Sequence, residues 1–396
     1  MQHYRSLRTV AEELRPSLPQ PVFRPRALKS AVKAFTQNFR GTTMYAVKTN
    51  PEAYVLKALF AAGIRTFDVA SLQEVILIRQ LFGMDVSIYF MHTVKSRAAI
   101  HEAYHTHGVR AFSLDSADEL NKIMEETGGA KDLHLFVRLA IPNSYAEISL
   151  SDKFGINLAE AGGLLRAARK KAKKVGLCFH VGSQCMHPDA YRIAIRMAWQ
   201  VVRKSRVKID FLDVGGGFPS VYPGMVPPSL SLYFDAIREE FENRPAGLEN
   251  TQLLCEPGRA LVAESGSVLV RVELRKGEFL YLNDGTYGSL FDAGTPQFIF
   301  PSKVMREGAS SSHQPYSFFG PTCDTLDFMK GPFFLPEDVR EGDYIEIGQL
   351  GAYGATMRTR FNGFGAMHDV VTVDEPPLMS MYGGNLHEPQ ARLMVA

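Results

Sequence analysis

The sequence is poor in cysteine, and its charges almost cancel. Four cysteines are scattered over 396 residues without a Cys-x-x-Cys pair, so a disulfide framework is excluded and a reducing compartment is indicated. The 44 lysines and arginines nearly balance the 42 acidic residues, which leaves a net charge of +2. Because no basic stripe stands out, we expect no nucleic-acid partner. We also expect no bound metal.

Long apolar runs are also missing. No stretch has the roughly 20 apolar residues that a bilayer-spanning helix needs. Residues 1–20 alternate charged and apolar side chains and lack the apolar core of a signal peptide. We therefore expect a cytoplasmic protein without a membrane partner. A chain of this length can form one large core and a second, smaller one.

From about residue 42 to 258, short apolar runs that end in a polar residue or glycine alternate with helical stretches. Helix signals separate the runs: Asn50-Pro51 predicts a helix start, and Ser71 with Glu74 predicts a capping box. The predicted strands are Thr42–Asn50, Thr66–Ala70, Val86–Met91, Ala111–Leu114, Leu133–Ala140, Val175–Gly182, Ile209–Gly217 and Thr251–Gly258. This alternation predicts a (β/α)8 TIM-like barrel, with an open doubly wound sheet as the alternative.

The pattern changes after about residue 262. Segments such as Ser267–Leu274, Glu278–Leu282 and Asp343–Ile347 alternate or run apolar in short bursts, with glycine and proline between them. Such a pattern is typical of a mainly β domain. We predict a barrel domain over residues 25–262 and a β-rich domain formed by residues 1–24 plus 263–396.

Residues that can carry chemistry fall at the carboxyl ends of the predicted barrel strands, where barrel active sites lie. They are Lys48, Asp68, Arg138, His180, Gly215-Gly216-Gly217 and Glu256-Pro257-Gly258-Arg259. A lone lysine at such a place is usually a solvated charge, and a lone histidine is usually a satisfied core residue. Six such residues or motifs at equivalent positions of a repeating unit indicate a shared site.

The residue types favour pyridoxal phosphate (PLP) as a cofactor. Three consecutive glycines let backbone N–H groups approach a phosphate, and the loops after strands 7 and 8 are the usual phosphate site of barrels. A tight strand-to-helix turn is the other interpretation of Gly215–Gly217. The aldehyde of PLP condenses with a lysine such as Lys48. Glu256 could pair with the pyridine nitrogen, and the flat ring of His180 could stack on the cofactor.

Several motifs, in this order and spacing, resemble those of the fold-type III PLP-dependent decarboxylases near the ornithine decarboxylase branch. They are Tyr45-Ala46-Val47-Lys48, Phe67-Asp68-Val69-Ala70-Ser71, Phe179-His180-Val181-Gly182-Ser183, Leu212-Asp213-Val214-Gly215-Gly216-Gly217-Phe218-Pro219, Glu256-Pro257-Gly258-Arg259, Asn283-Asp284-Gly285, Tyr287-Gly288, Gly320-Pro321-Thr322-Cys323-Asp324, Gly351-Ala352-Tyr353 and Phe361-Asn362-Gly363-Phe364. The resemblance covers nearly the whole chain. It implies an alanine racemase-like barrel with a second, mainly β domain.

The resemblance also implies roles for individual residues. Lys48 would carry the cofactor as a Schiff base, Glu256 would pair with the pyridine nitrogen, and His180 would stack on the ring. The implied catalytic residues are Lys48, Cys323, His180 and Glu256. The implied cofactor-binding residues are Lys48, Asp68, Arg138, His180, Ser183, Gly215, Gly216, Gly217, Glu256, Gly258, Arg259 and Tyr353.

The remaining implied residues concern the substrate. In this family the active sites are shared between the subunits of a homodimer, and the Cys323-Asp324 loop reaches the partner's site. A thiol such as that of Cys323 can return a proton to the substrate after CO2 leaves. Asp284 and Asp324, with Tyr287 beside them, would bind a terminal ammonium of the substrate. A buried cysteine and ordinary turn aspartates are the alternative interpretations.

The expected reaction is the conversion of L-ornithine to putrescine, a step of polyamine biosynthesis. Two segments, His92-Thr93-Val94-Lys95 and Leu290–Phe298, depart from the eukaryotic pattern, so a lysine or dual lysine/ornithine decarboxylase stays open. A diaminopimelate decarboxylase is a weaker alternative, since an acidic Asp324 does not suit a substrate that ends in a carboxylate. An amino-acid racemase would place arginine rather than Glu256 at the pyridine nitrogen. A catalytically inactive regulatory homologue would be expected to lose cofactor residues that are present here.

Overall fold

The structure, a computed structural model, describes residues 1–150 and 153–382. It contains two compact units. The barrel unit comprises Val32–Pro219 and Pro228–Gly258, and the second unit comprises Met1–Ala31, Ser220–Pro227 and the chain from Arg259 onward. The domain limits drawn from the sequence, 25–262 and 1–24 plus 263–396, stay a prediction.

The strands of the described residues are β1 (His3–Tyr4), β2 (Gln20–Phe23), β3 (Thr42–Ala46), β4 (Thr66–Val69), β5 (Ser87–Phe90), β6 (Ala111–Leu114), β7 (His134–Arg138), β8 (Ala146–Ile148), β9 (Lys174–Cys178), β10 (Ser183–Cys185), β11 (Phe211–Asp213), β12 (Gln252–Cys255), β13 (Gly266–Lys276), β14 (Phe279–Leu282), β15 (Ser302–Val304), β16 (His313–Phe319), β17 (Phe328–Pro336), β18 (Tyr344–Ile347) and β19 (Val371–Val373). The α-helices are α1 (Leu7–Leu14), α2 (Pro25–Asn38), α3 (Ala53–Ala62), α4 (Leu72–Phe82), α5 (Arg97–His105), α6 (Ala117–Glu126), α7 (Leu158–Lys171), α8 (Asp189–Ser205), α9 (Leu230–Glu242), α10 (Arg259–Val262) and α11 (Phe291–Gly294).

Eight parallel strands of the barrel unit close on themselves in the order β3-β4-β5-β6-β7-β9-β11-β12. The barrel closes where β12 pairs with β3, with Leu254 opposite Thr42 and Cys255 opposite Thr43. Side chains such as Met44, Phe136 and Leu254 form a buried cluster with residues of the other strands. The closed barrel confirms the predicted (β/α)8 fold and rules out the open doubly wound sheet.

The barrel strands are mostly shorter than predicted at their carboxyl ends. The first was predicted to reach Asn50, but β3 ends at Ala46 and residues Val47–Thr49 form a 3-10 turn. The seventh was predicted to run to Gly217, but β11 ends at Asp213 because Gly215 and Gly217 adopt positive φ angles, which a strand does not accommodate. These turns carry the candidate site residues out of the sheet.

Helix starts were predicted with mixed success. The hydroxyl of Ser71 accepts a hydrogen bond from the N–H of Glu74 at 3.2 Å, and the Glu74 carboxylate accepts one from the N–H of Ala70 at 2.6 Å, close to the predicted capping box. The helix start predicted at Asn50-Pro51 was wrong, because α3 begins at Ala53. Asn50 instead closes a short turn by accepting the N–H of Glu52.

The second unit is built on a nine-stranded mixed sheet. Its main path has the order β1-β19-β2-β13-β14-β16-β17, and β18 pairs with both β13 and β15. Helix α1 contributes Leu7 and Val10 to a buried cluster that also contains Leu269 and Val371. The predicted mainly β region after residue 262 is therefore confirmed. None of the helices within the described residues combines the length and the apolar character needed to cross a membrane.

Candidate active site

Lys48 is presented to solvent at the mouth of the barrel. It lies in the 3-10 turn after β3, and its side chain is exposed while those of Val47 and Thr49 on either side are buried. The two buried neighbours anchor the turn to the barrel. The amine is therefore held at a defined place yet accessible to a small molecule, as a Schiff-base lysine must be.

Two buried carboxyl groups, those of Asp68 and Glu256, interact electrostatically with Lys48. Burial and the charge of Glu256 raise the pKa of Asp68 well above its ordinary value, and Lys48 and Arg138 oppose the rise. Burial and the charge of Asp213 likewise raise the pKa of Glu256. Burial also raises the pKa of Asp213, to about 7. A further cation, beside Lys48 and Arg138, would relieve the electrostatic cost of ionising these acids.

His180 is held as a neutral ring in one tautomer. Its Nδ1 accepts a hydrogen bond from the N–H of Gly182 at 3.0 Å, so the proton of the neutral ring lies on Nε2. Burial, with the charges of Lys48 and Arg138, lowers the pKa of His180 well below its ordinary value. A neutral, oriented imidazole is suited to stacking on an aromatic cofactor rather than to carrying charge.

The three glycines after β11 form a loop that tolerates no side chains. Gly215 and Gly217 have φ angles of 68° and 99°, and β-carbons added to them would overlap backbone oxygens of Phe179 and Gly182, respectively. A β-carbon on Gly216 would lie 3.0 Å from Nε2 of His180. The backbone of this loop is therefore open to close approach by a ligand, as an anion-binding turn requires.

A further crowded position is Gly258, at the end of the barrel unit. A β-carbon there would overlap the Oγ1 atom of Thr49. That hydroxyl is buried, and it has no hydrogen-bond partner among the described residues. A buried polar atom left without a partner beside a glycine indicates a place where a ligand group completes the hydrogen bonding.

Arg138 and Ser183 lie near the loop that follows β7. The Arg138 guanidinium lies 5.4 Å from the ring centroid of Phe154, and the ring of His92 packs edge-on against the same phenyl group at 5.1 Å. Ser183 begins β10, which pairs with β8 so that Ser183 lies opposite Ile148. His92 was noted in the sequence only as a departure from a family pattern. Its contact with Phe154 depends on folding.

In the second unit, Arg259 is buried between an acid and aromatic rings. Its Nη1 donates hydrogen bonds to the hydroxyl of Tyr222 at 2.8 Å and to Oδ2 of Asp292 at 3.1 Å. The guanidinium also lies 5.0 Å from the ring centroid of Tyr353 and 5.2 Å from that of Phe298. Sequence reasoning missed Asp292, although it lies within the Leu290–Phe298 segment that departs from the family pattern.

The Cys323-Asp324 loop is accessible. Cys323 is exposed, in contrast to the buried Cys178, Cys185 and Cys255, so the interpretation of Cys323 as a small core residue is wrong. Its backbone N–H donates to Oδ1 of Asn362 at 3.1 Å.

The carboxylate of Asp324 has a fixed orientation in this loop. It accepts the N–H of Leu326 at 2.9 Å and the hydroxyl of Tyr287 at 2.7 Å. These two bonds lower the pKa of Asp324. The carboxylate is therefore ionised and positioned, yet not enclosed.

Asp284 lies in a different environment from Asp324. It was expected to bind a substrate ammonium together with Asp324, but it is buried, and its carboxylate accepts the N–H groups of Gly285 at 2.9 Å and Ser289 at 3.1 Å. Burial raises its pKa to about 6. These backbone bonds close the turn that carries Tyr287. The role of Asp284 in binding a substrate ammonium stays a prediction.

Residues 25–263 match the family described as the pyridoxal-binding domain of pyridoxal-dependent decarboxylases, which is more than half of the chain. The chain belongs to the pyridoxal-dependent decarboxylase family. The family resemblance inferred from the motifs and the PLP cofactor are thereby confirmed.

Two curated relatives extend the match beyond the barrel. A lysine/ornithine decarboxylase of Selenomonas ruminantium is 30% identical over 346 residues, which cover 85% of each chain. Antizyme inhibitor 2 of Xenopus laevis is 30% identical over 351 residues, 81% of this chain and 73% of the relative. Both matches include most of the second unit as well as the barrel.

Two solved structures are similar over nearly their whole length. The arginine decarboxylase of Paramecium bursaria Chlorella virus bound to agmatine has a TM-score of 0.81 at 27% identity, covering 93% of this chain and 99% of that one. The lysine/ornithine decarboxylase of Vibrio vulnificus complexed with cadaverine has a TM-score of 0.80 at 27% identity, covering 94% and 100%. Decarboxylases of this fold thus act on more than one basic amino acid.

The residues present fit PLP. The raised pKa values of Asp68 and Glu256 reflect buried acids that a protonated pyridine nitrogen would stabilise. The buried hydroxyl of Thr49 has no hydrogen-bond partner in the described part of the chain. Asp213 was quoted within a sequence motif without a role. The sequence signal that could have pointed to Asp213 is its position two residues before Gly215–Gly217.

Proposed function

We propose that this decarboxylase acts on a basic amino acid, with L-ornithine as the preferred substrate and putrescine as the product, as a step of polyamine biosynthesis. The observation that carries the proposal is the pairing of an exposed thiol, Cys323, with the positioned carboxylate of Asp324. A carboxylate oriented by two hydrogen bonds can bind an ammonium group. We propose a cytoplasmic enzyme.

The cofactor would be held by residues that the motifs and the barrel geometry single out. Lys48 would bind it covalently, Glu256 would face the pyridine nitrogen, and the neutral ring of His180 would stack on it. Asp68 would lie near Lys48, and Arg138 near the ring. The proposed phosphate ligands are Ser183, Gly215, Gly216, Gly217, Gly258, Arg259 and Tyr353. When bound, PLP supplies an electron sink that accepts the electron pair left when CO2 departs.

The substrate contacts are proposed to come from the second unit. Asp324 binds the distal ammonium of the substrate. This contact holds the substrate α-carbon at a fixed distance from the Asp324 carboxylate. Tyr287 keeps that carboxylate in place through its hydroxyl. The Cys323 thiol delivers a proton to the α-carbon after CO2 has left. Asp284 supports this arrangement indirectly through its loop.

We propose that each active site is completed by the partner subunit of a homodimer. The exposure of Cys323 supports this proposal, since a proton donor in a decarboxylase must be shielded from bulk water during the reaction. Two exposed apolar side chains lie close by. Leu326 follows Asp324 by two residues, and the ring of Phe361 packs against that of Tyr287. A second copy of the chain would cover them.

Lysine is the second candidate substrate. It is favoured by the similarity to the Selenomonas ruminantium relative. The racemase alternative is disfavoured by the acidic Glu256. A non-catalytic role, suggested by the similarity to an antizyme inhibitor, is disfavoured because Lys48, His180, Glu256 and Cys323 are all present.

The test is a panel of L-ornithine, L-lysine, L-arginine and meso-diaminopimelate, assayed for CO2 release with identification of the amine product. Lys48→Ala protein serves as the control for uncatalysed release. We expect the highest kcat/KM with ornithine, and a lower value with lysine because its extra methylene must fit the same distance to Asp324. A clear preference for arginine or diaminopimelate would overturn the proposal. Absence of CO2 release from all four by PLP-loaded protein would support the non-catalytic alternative.

A further inference from the structure

The chain near its carboxyl end packs against the turns that follow the last barrel strand. We call Glu375–Tyr382 the strap. The hydroxyl of Tyr382 donates a hydrogen bond to the carbonyl oxygen of Ala260 at 2.5 Å. The hydroxyl of Ser380 and the N–H of Met381 donate to the two carboxylate oxygens of Glu264, at 2.5 and 2.6 Å. All of these residues belong to the second unit.

These contacts involve a buried carboxyl group rather than exposed side chains. Glu264 is buried, with an exposed fraction of 3%, and both of its oxygens take their hydrogen bonds from the strap. Burial raises the pKa of Glu264 to about 7, and the hydrogen bonds from Ser380 and Met381 oppose that rise. Without the strap, a buried carboxyl group would lose its partners, which is costly.

Hydrogen bonds also hold the first residue of the strap, Glu375. The Nε of Arg24 donates to the carbonyl oxygen of Glu375 at 3.0 Å, and the N–H of Leu7 donates to the Glu375 carboxylate at 2.7 Å. Between the two ends, Leu378 lies near the backbone of Gly348. The strap therefore has a defined path from helix α1 to helix α10.

Helix α10 depends on such support. It has only four residues, Arg259–Val262, and a 3-10 turn, Ala263–Ser265, follows it directly. So short a helix has little stability of its own, and tertiary contacts decide where it lies. The strap contacts it at Ala260, the residue after Arg259, and at Glu264 in the following turn.

We infer that the strap is a positioning element for the cofactor phosphate, acting through Arg259. Asp292 and Tyr222 orient the guanidinium from the side-chain end. Tyr382 orients the backbone from which that side chain extends. The inference rests on the proposed role of Arg259 as a phosphate ligand. Tyr382, Ser380 and Glu264 would be positioning residues that touch neither cofactor nor substrate.

The test compares PLP with pyridoxal, which forms the same bond to lysine but has no phosphate. Tyr382→Phe removes one hydroxyl and keeps the ring. Tyr344→Phe is the matched control, since it removes a hydroxyl that donates to Pro16 at 3.2 Å, elsewhere in the same unit. The full-length apoprotein is titrated with each aldehyde, and the Kd is read from the absorbance of the bound form.

We expect Tyr382→Phe to weaken PLP binding by about threefold to tenfold, the effect of one hydrogen bond. Its Kd for pyridoxal should stay within about twofold of the wild-type value, and kcat at saturating PLP should be retained. Tyr344→Phe should change neither Kd. Glu264→Gln, which keeps the shape and alters the acceptor, should reproduce the selective loss for PLP.

Equal weakening for PLP and pyridoxal would mean that the strap only supports the fold, and would overturn the inference. Unchanged PLP binding in both Tyr382→Phe and Glu264→Gln would overturn it as well. Arg259→Gln separates this failure from failure of the premise: it should weaken PLP binding more than Tyr382→Phe does and spare pyridoxal. If Arg259→Gln does not discriminate, the phosphate assignment itself is wrong, and the inference falls with it.

Discussion

The functional residues at the barrel mouth and those of the second unit differ in the environment of their carboxyl groups. At the barrel mouth, Asp68 is 5% exposed, and burial raises its pKa well above the ordinary value. In the second unit, Asp324 is partly exposed, and hydrogen bonds from Leu326 and Tyr287 lower its pKa. One acid is costly to ionise without a cationic ligand, whereas the other is ionised beforehand.

This difference separates binding of a permanent cofactor from binding of a passing substrate. A buried acid that needs a cation favours tight retention of a protonated ring, because ligand and protein relieve each other's charge. An ionised, hydrogen-bonded acid at the surface attracts an ammonium and releases it readily. The same residue type serves both tasks, and its surroundings decide which.

The largest expected effect is at Lys48. We predict that Lys48→Ala lowers kcat/KM on the order of a thousandfold or more, because the covalent attachment of the cofactor is lost. Borohydride reduction of the wild-type holoenzyme should leave a pyridoxyl mass on the peptide that contains Lys48, and the variant should lack it. Lys57→Ala, on helix α3, is the control and should keep both label and activity. A label on another lysine would contradict the assignment.

The second prediction tests whether the two regions act across a subunit boundary. Lys48→Ala and Cys323→Ala are each expected to be inactive, but a mixture should recover about a quarter of wild-type activity. With random exchange, half of the dimers are mixed, and each of these holds one intact site. Subunit exchange is verified with differently tagged chains. Full exchange without any recovery would count against the shared site.

The third prediction concerns Asp324, whose carboxylate is proposed to bind the substrate ammonium. Asp324→Asn keeps the shape and removes the charge, so kcat/KM with ornithine should fall about tenfold to a hundredfold. Norvaline, of similar length but without the terminal amine, should react as slowly as it does with the wild type. PLP binding should persist. Tyr287→Phe removes only the hydroxyl that donates a hydrogen bond to Asp324, and it should lower kcat/KM about twofold to tenfold.

The norvaline control distinguishes recognition from chemistry. If Asp324→Asn reduces the turnover of ornithine and norvaline equally, the residue acts on the reaction or the fold, and the ammonium contact must lie elsewhere. If PLP binding is also lost, the proposed separation between the cofactor and substrate regions fails.

The fourth prediction concerns the stability of the apoprotein rather than its activity. Burial raises the pKa of Asp213 to about 7, so the folded state keeps a proton that the unfolded state has lost. This group therefore contributes stability at low pH, and the contribution is lost as the pH rises from about 4 to about 7. Relative to Asp213→Asn, the apoprotein should lose at most about 1.4 kcal/mol per pH unit in that window. Urea unfolding at several pH values measures the difference, and parallel curves would contradict the burial argument.

Much of the fold could be predicted because its signals are local. Alternating apolar runs and helical stretches indicated the barrel, and the glycines after β11 marked a turn that no other residue accommodates. The strand ends were less accurate: Val47–Thr49 has β-branched residues on both sides of Lys48 yet folds into a 3-10 turn. A local preference for strand does not fix where the strand ends.

The site was predicted in residue type more reliably than in role. Asp284 looked equivalent to Asp324, since both are aspartates in glycine-rich or polar turns. Only the fold shows that the first is buried and accepts hydrogen bonds from the amides of Gly285 and Ser289, whereas Tyr287 orients the carboxylate of the second. Asp292 was missed because its partner, Arg259, is 33 residues away in sequence.

The sequence by itself determined the barrel, the chemistry-bearing residues at its strand ends and, through motif order, the decarboxylase family. Periodicity, glycine and residue type are properties that a chain carries before it folds. The tertiary structure alone decided the protonation tendencies of Asp68, Asp213 and Glu256, the tautomer of His180, the inward turn of Asp284 and the strap on helix α10. Those properties depend on burial and on charges distant in sequence, and such neighbours exist only once the chain has folded.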